Sequence, residues 1–106
     1  TSIYIFPTLY YIATKIEAIK GRGGKDLRFS HDFEDLIYVL NNCERITGLF
    51  DNEKDLTLTA YLSDWAAQTL ERQNIREEIE CALPYGDYER TEYILDILTH
   101  FAKGKQ

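Results

Sequence analysis

Apolar residues recur three and four positions apart along most of this 106-residue chain, and that spacing constrains the fold more than any other feature. A helix turns about 100° per residue, so positions i, i+3, i+4 and i+7 share one face. Leu9, Ile12, Ala13, Ile16 and Ile19 fit this pattern within 8–21. Phe33, Leu36, Ile37 and Leu40 repeat it within 31–42. Leu58, Tyr61, Leu62, Trp65, Ala66 and Leu70 repeat it within 52–73, and Ile94, Ile97, Leu98 and Phe101 close the series. No two alternating segments flank a turn signal, so no hairpin is expected. The expectation is an all-α fold: about five helices in one small bundle-like domain covering 1–106.

The helix ends carry signals of their own. Pro7 and Thr8 open the first helix, and Gly21, Gly23 and Gly24 stop it, since glycine takes the left-handed geometry of a C-terminal cap. Ser30 or Asp32 caps the second helix, and Asp32, Glu34 and Asp35 suit the positive end of its dipole. Residues 41–51 read as a connection with room for one helical turn. Asn74-Ile75-Arg76-Glu77 reads as a capping box opening a short helix that Pro84 and Gly86 end. Asp87 is the expected cap of the last helix, and Gly104 closes it. The lead-in T-S-I-Y-I-F-P reads as a strand or extended segment. A lone strand has no stability without a sheet to join. That, with the absence of any methionine, leads to the expectation that the chain is the C-terminal part of a longer protein.

Charge narrows the ligand class. The chain carries −6 overall, which argues against general nucleic-acid binding. The distribution is uneven. Residues 15–28 hold Lys15, Lys20, Arg22, Lys25 and Arg28 against Glu17 and Asp26, a local +3 that leaves −9 for the remainder. A basic patch on an acidic body suits a small anion better than a long polyanion. No apolar run reaches the roughly 20 residues of a membrane span. Cys43 and Cys81 lack C-x-x-C spacing and read as two free thiols of a cytoplasmic protein. They form no metal-ligand pattern with His31 and His100.

The segment from Lys15 to Asp35 concentrates the chemistry. Lys15 and Arg22 stand seven residues apart, on one side of the first helix. Lysine is a compact charge and arginine a planar fork, and both reach phosphate. Asp32 and Asp35 are three residues apart on the first turn of the second helix. If the glycine loop folds the helices against each other, cations and carboxylates share one cleft. The loop G-R-G-G-K-D has neither P-loop nor G-x-G-x-x-G spacing, so it reads first as a flexible connection. By spacing alone the bland readings stand beside the functional ones. Lys15 fits a solvated charge, Asp32 a cap, Asp35 an ion-pair partner and His31 a structural group. Trp65 and the tyrosines fit the core.

The run I-A-T-K-I-E-A-I-K-G-R-G-G-K-D-L-R-F-S-H-D-F-E-D-L-I-Y-V-L, positions 12–40, resembles the nucleotidyltransferase superfamily in its AbiEii/AbiGii toxin-like branch. R-T-E-Y-I-L-D-I-L at 90–98 resembles the helical tail of that branch more loosely. The resemblance implies that Lys15 contacts nucleotide phosphates, and that Asp32 and Asp35 serve the catalytic site; Arg22 joins Lys15 as a nucleotide-binding candidate by its place on the same side of the helix. The family form of the second segment is K-D-x-x-D; here His31 stands where that lysine would be. The family's catalytic core also carries G-S followed by D-x-D, whose aspartates hold a divalent metal. This chain has neither motif, and Asp51-Asn52-Glu53 is only an acidic trio. The resemblance therefore implies the C-terminal half of a Mg²⁺- and nucleoside-triphosphate-dependent enzyme. That half holds no metal or cofactor alone and is inactive without its N-terminal partner half. An antitoxin protein is a further implied partner. The competing expectation is a non-enzymatic helical interaction module that forms a homodimer through an exposed apolar face.

Overall fold

A computed structural model of the chain describes residues 8–21, 27–84, 86 and 89–104. These residues form six α-helices, with no strand among them: α1 (Thr8–Gly21), α2 (His31–Asn42), α3 (Ile46–Asn52), α4 (Leu56–Leu70), α5 (Ile75–Ala82) and α6 (Arg90–Lys103). A short 3-10 turn, Leu27–Phe29, precedes α2. The all-α expectation holds. The expected N-terminal strand, Arg22 and the Asp87 cap fall outside the described residues.

α6 is the central element, touching α2, α3, α4 and α5, with its most extensive contact against α4. The apolar stripes meet there. Ile94, Ile97, Leu98 and Phe101 of α6 are buried, as are Leu62, Trp65 and Ala66 of α4. Each fully buried side chain of this size contributes roughly 1.5–3 kcal/mol. α1 lies between α2 and α4 and contacts both. Its buried line is Leu9, Ile12, Ile16 and Ile19.

The expected connection at 41–51 contains a helix instead. Gly48 in the centre of α3 weakens any local tendency to form it. The helix forms because Ile46 and Phe50 are buried against the core. Phe50 stacks on Phe101 with ring centroids 4.5 Å apart and an interplanar angle of 17°. The long helix expected over 52–73 is accordingly shorter. Asp55 caps α4, its Oδ1 accepting the Leu58 N–H at 3.2 Å. Ser30 caps α2 by accepting the Phe33 N–H at 3.1 Å. The capping box at Asn74 does not form: Asn74 makes no side-chain cap bond. Glu77 instead accepts from Arg28 Nη1 at 3.1 Å, so a tertiary partner outcompetes the local one. Leu70 and Tyr61, expected fully inward, are half-buried. Gly104 closes α6 at φ +76°, where an L side chain is strained.

Two tyrosine–carboxylate bonds clasp α1 to α4. Tyr10 donates to Asp55 at 2.5 Å, and Tyr61 donates to Glu17. The bond to Asp55 pushes the Tyr10 phenol up, and burial together with Glu17 pushes the Tyr61 phenol well up. The Tyr10 hydroxyl and the backbone N–H of Leu58 hold the Asp55 carboxyl below its ordinary range. A phenol raised in the folded state stabilises fully below its unfolded pKa of about 10. That contribution disappears as pH rises through the raised folded value. For Asp55 the sign reverses: its contribution is present above about pH 4 and disappears as pH falls through its lowered value. Phenolate absorbance at 295 nm will therefore show two tyrosines titrating late. Tyr61→Phe will remove one of them and flatten the alkaline limb of the stability curve. A titration in which all eight tyrosines ionise together near pH 10 would contradict both clasps.

Candidate functional site

The structure brings Lys15, Asp32 and Asp35 to one place. Lys15 lies midway along α1, where Ile12, Ile16 and Ile19 bury the adjoining face. Asp32 and Asp35 lie on the first turns of α2, which starts where it does because Ser30 caps it. Packing of α1 on α2 sets the distances. Lys15 Nζ donates to Asp35 Oδ2 at 2.9 Å and stands 3.6 Å from Asp32 Oδ1. The Tyr11 ring, one helical turn before Lys15, has its centroid 5.4 Å from the ammonium. The lysine side chain is 22% exposed and that of Asp32 13%, whereas that of Asp35 is 50% exposed.

This geometry decides what the group can do. The hydrogen bond to Asp35 is the main reason that the Lys15 ammonium is harder to deprotonate than usual, with burial opposing it. A protonated amine has no lone pair, so Lys15 is a fixed cation and not a nucleophile near neutral pH. An ammonium offers three donors. Asp35 takes one, and Asp32 stays beyond hydrogen-bond length. An incoming phosphate must share the ammonium with Asp35 or displace it, and Asp35 is the more exposed carboxylate. A bare polyphosphate that approaches the ammonium also meets both carboxylates, and like charge opposes it. The cluster is therefore closed, not an open cleft.

Asp35 also belongs to a cavity of about 280 Å³ between α2 and the end of α5. Ile37, Tyr38, Ala82, Leu83 and Pro84 supply apolar walls, with Glu34, Asp35 and Asn41 at the polar side. Arg90 fixes the Asn41 end, donating from Nε to Asn41 Oδ1 at 2.7 Å and from Nη2 to the Asn41 carbonyl at 2.9 Å. That fork also satisfies an orphan carbonyl at the negative end of α2. Asp35 thus connects the lysine on one flank with a ligand-sized space on the other.

Other candidates take quieter roles. His31 is exposed at the start of α2. His100 Nε2 sits 2.8 Å from Asp51 Oδ1, and Glu53 accepts the Asp55 N–H at 2.9 Å. The Asp51–Glu53 trio therefore ends α3 and sets up α4. Cys43 and Cys81 are both free thiols. Among the described residues no three His, Cys, Asp or Glu side chains cluster as a metal cage. Asp32 and Asp35, both on Lys15, do not fit a divalent cation by themselves, and no step is routed through one. No helix among the described residues is long and apolar enough to cross a membrane.

One group had no sequence signal. Glu78 is buried at 4% side-chain exposure. It accepts the Leu27 N–H at 3.0 Å and the fork of Arg72, Nε at 2.8 Å and Nη2 at 2.7 Å. The Leu27 bond spans 51 residues, and Arg72 lies six residues away, off the i,i+4 helical spacing. The network anchors the chain just before α2 and so steadies the start of the helix that carries Asp32 and Asp35. No family model, no characterised protein and no solved structure matches this chain.

Proposed function

We infer that this chain is the helical half of a nucleotidyltransferase-like protein, in which Lys15 contacts the phosphates of a nucleoside triphosphate. Asp35 is the exchangeable partner that yields the ammonium to them. Asp32, more deeply buried, keeps the lysine aimed between α1 and α2. The cavity beside Asp35 takes the acceptor or the flat part of the nucleotide; at about 280 Å³ it is too small for a whole nucleoside triphosphate. The observation that carries this reading is the double membership of Asp35, bound to Lys15 at 2.9 Å and lining the cavity. The resemblance of positions 12–40 supports it. Metal binding and the transfer step belong to a partner segment with G-S and D-x-D, in a cytoplasmic protein. Arg22 is the second phosphate contact in this reading.

A titration with nucleoside triphosphate and Mg²⁺ tests the local part. The isolated chain will bind weakly or not at all, because two carboxylates face the incoming charge. Tight, Lys15-dependent binding by the chain alone would contradict the proposed incompleteness. The coding sequence upstream of Thr1 tests the rest. An in-frame G-S and D-x-D segment supports the reading, and Lys15→Gln in that full protein will cut nucleotide transfer by roughly 10²-fold or more. An upstream sequence without that segment overturns it.

A second reading has one observation in its favour. Leu56 and Tyr10 are exposed, and the Tyr10 hydroxyl bonds Asp55, the residue before Leu56. As an interaction module the chain would pair through this patch. Leu56→Lys would then abolish self-association, measured by sedimentation, and leave Lys15 untouched.

A further inference from the structure

A second cavity, of about 290 Å³, lies on the other flank of α1, facing α4 and the turn at Leu27. Lys15 and Lys20 are five residues apart, which places them about 140° from each other around the helix. Lys15 thus faces α2, and Lys20 faces α4. Along α4 and just past its end, Trp65, Gln68, Thr69 and Arg72 line one wall, at the spacing of a single helix face. Ile19 and Leu27 supply apolar floor.

Its electrostatics oppose the acidic body. The chain carries −6, yet two cations, Lys20 and Arg72, stand in this wall. Glu78 behind Arg72 and Glu17 on Tyr61 offset these charges, so the attraction for an anion is the local one of the Lys20 ammonium. The fork of Arg72 on the buried Glu78 carboxylate holds its guanidinium in place. Lys20 makes no ion pair among the described residues; its ammonium rests 4.6 Å from the centroid of the Tyr61 ring. The nearby Glu17 carboxylate is occupied by the Tyr61 hydroxyl. An ammonium over a ring turns part of its N–H set to the π face and keeps the rest for a ligand. The Thr69 hydroxyl and the Gln68 amide add neutral donors. This set outnumbers the two oxygens of a carboxylate and suits the three terminal oxygens of a phosphate monoester. The Trp65 indole, Ile19 and Leu27 complete an apolar wall for a flat body.

We propose that the cavity between Lys20, Trp65, Thr69 and Arg72 is a binding site for a small phosphate monoester carried on a flat, apolar body. The site is independent of the Lys15 reading, because it uses different side chains on the opposite flank of α1.

Trp65 is the sole tryptophan, so its emission reports on this cavity. Titration of the chain with phenyl phosphate, excited at 295 nm, will give a saturable change. Lys20→Gln, on an exposed helix position that tolerates glutamine, will weaken binding roughly tenfold. Thr69→Val will weaken it less. Lys15→Gln will leave it within about twofold. Inorganic phosphate alone, lacking the flat body, will bind at least about tenfold more weakly. Two-dimensional NMR shifts of the Thr69 backbone amide and the Trp65 indole N–H give a second readout of the same titration. Three outcomes overturn the proposal: no saturable response in either readout, equal binding by Lys20→Gln, or loss of binding in Lys15→Gln. Equal affinity for inorganic phosphate would overturn its flat-body element.

Discussion

Phe101→Ala will destabilise the chain by about 3–5 kcal/mol, the range for truncating a buried aromatic ring. Phe101 has no exposed surface and stacks on Phe50, and α6, which carries it, touches four other helices. The substitution removes the transfer energy of the ring, leaves a cavity and deletes the stack, itself worth roughly 0.5–1.5 kcal/mol. A domain of this size has about 5–15 kcal/mol in total, so the variant will be marginal. Urea unfolding followed by far-UV circular dichroism will show a lower midpoint at an unchanged slope. Phe101→Leu, which keeps most of the volume, will fall between the two. α3 will suffer first, because its buried residues are Ile46 and Phe50, and hydrogen exchange within 46–52 will accelerate ahead of the rest. A midpoint shift equivalent to less than about 1 kcal/mol would show that the ring is not part of the central packing.

Glu78→Leu will cost about 3 kcal/mol, at the lower end for breaking a buried ion pair. The low end applies because the Arg72 side chain is 29% exposed and partly solvated. The leucine deprives Arg72 of the carboxylate it forks around and the Leu27 N–H of its acceptor. Arg72→Met alone will cost a similar amount, because Glu78 is the more deeply buried partner. The double variant Glu78→Leu, Arg72→Met will recover much of the loss, since a well-packed apolar pair can replace a buried ionic one. The cycle will therefore give a coupling of about 2 kcal/mol. Exchange of the Leu27 amide will rise in every variant that lacks Glu78. Additive single effects, or an unchanged Leu27 amide, would show that the network does not anchor the segment before α2.

The two effects differ in how local their causes are. The burial of Phe101 follows from its spacing with Ile94, Ile97 and Leu98, because a helix face repeats at short intervals. The Glu78 network had no such trace. Its partners lie six and 51 residues away, and a glutamate at the start of α5 reads locally as a dipole-stabilising surface charge. The same contrast divides the candidate site. Lys15, Asp32 and Asp35 stood out by residue type and helix position. An ion-pair role for Asp35 was legible as well, but nothing local indicated that it would also line a cavity with α5, or that Lys20 would find Tyr61 on α4. The capping box at Asn74 was legible and did not form, because Arg28 offered Glu77 a better partner.

By itself the sequence determined the helical class, the inward faces of α1, α2 and α6 and most of that of α4, a cap for α2 at Ser30 or Asp32, and the stop at Gly104. Each rests on interactions within a few residues, where chain connectivity already sets the distance. Only the tertiary structure decided that α3 is a helix, which carboxylate holds which cation, and where the two cavities open. Those outcomes depend on side chains far apart in sequence, whose approach is settled by how the helices pack.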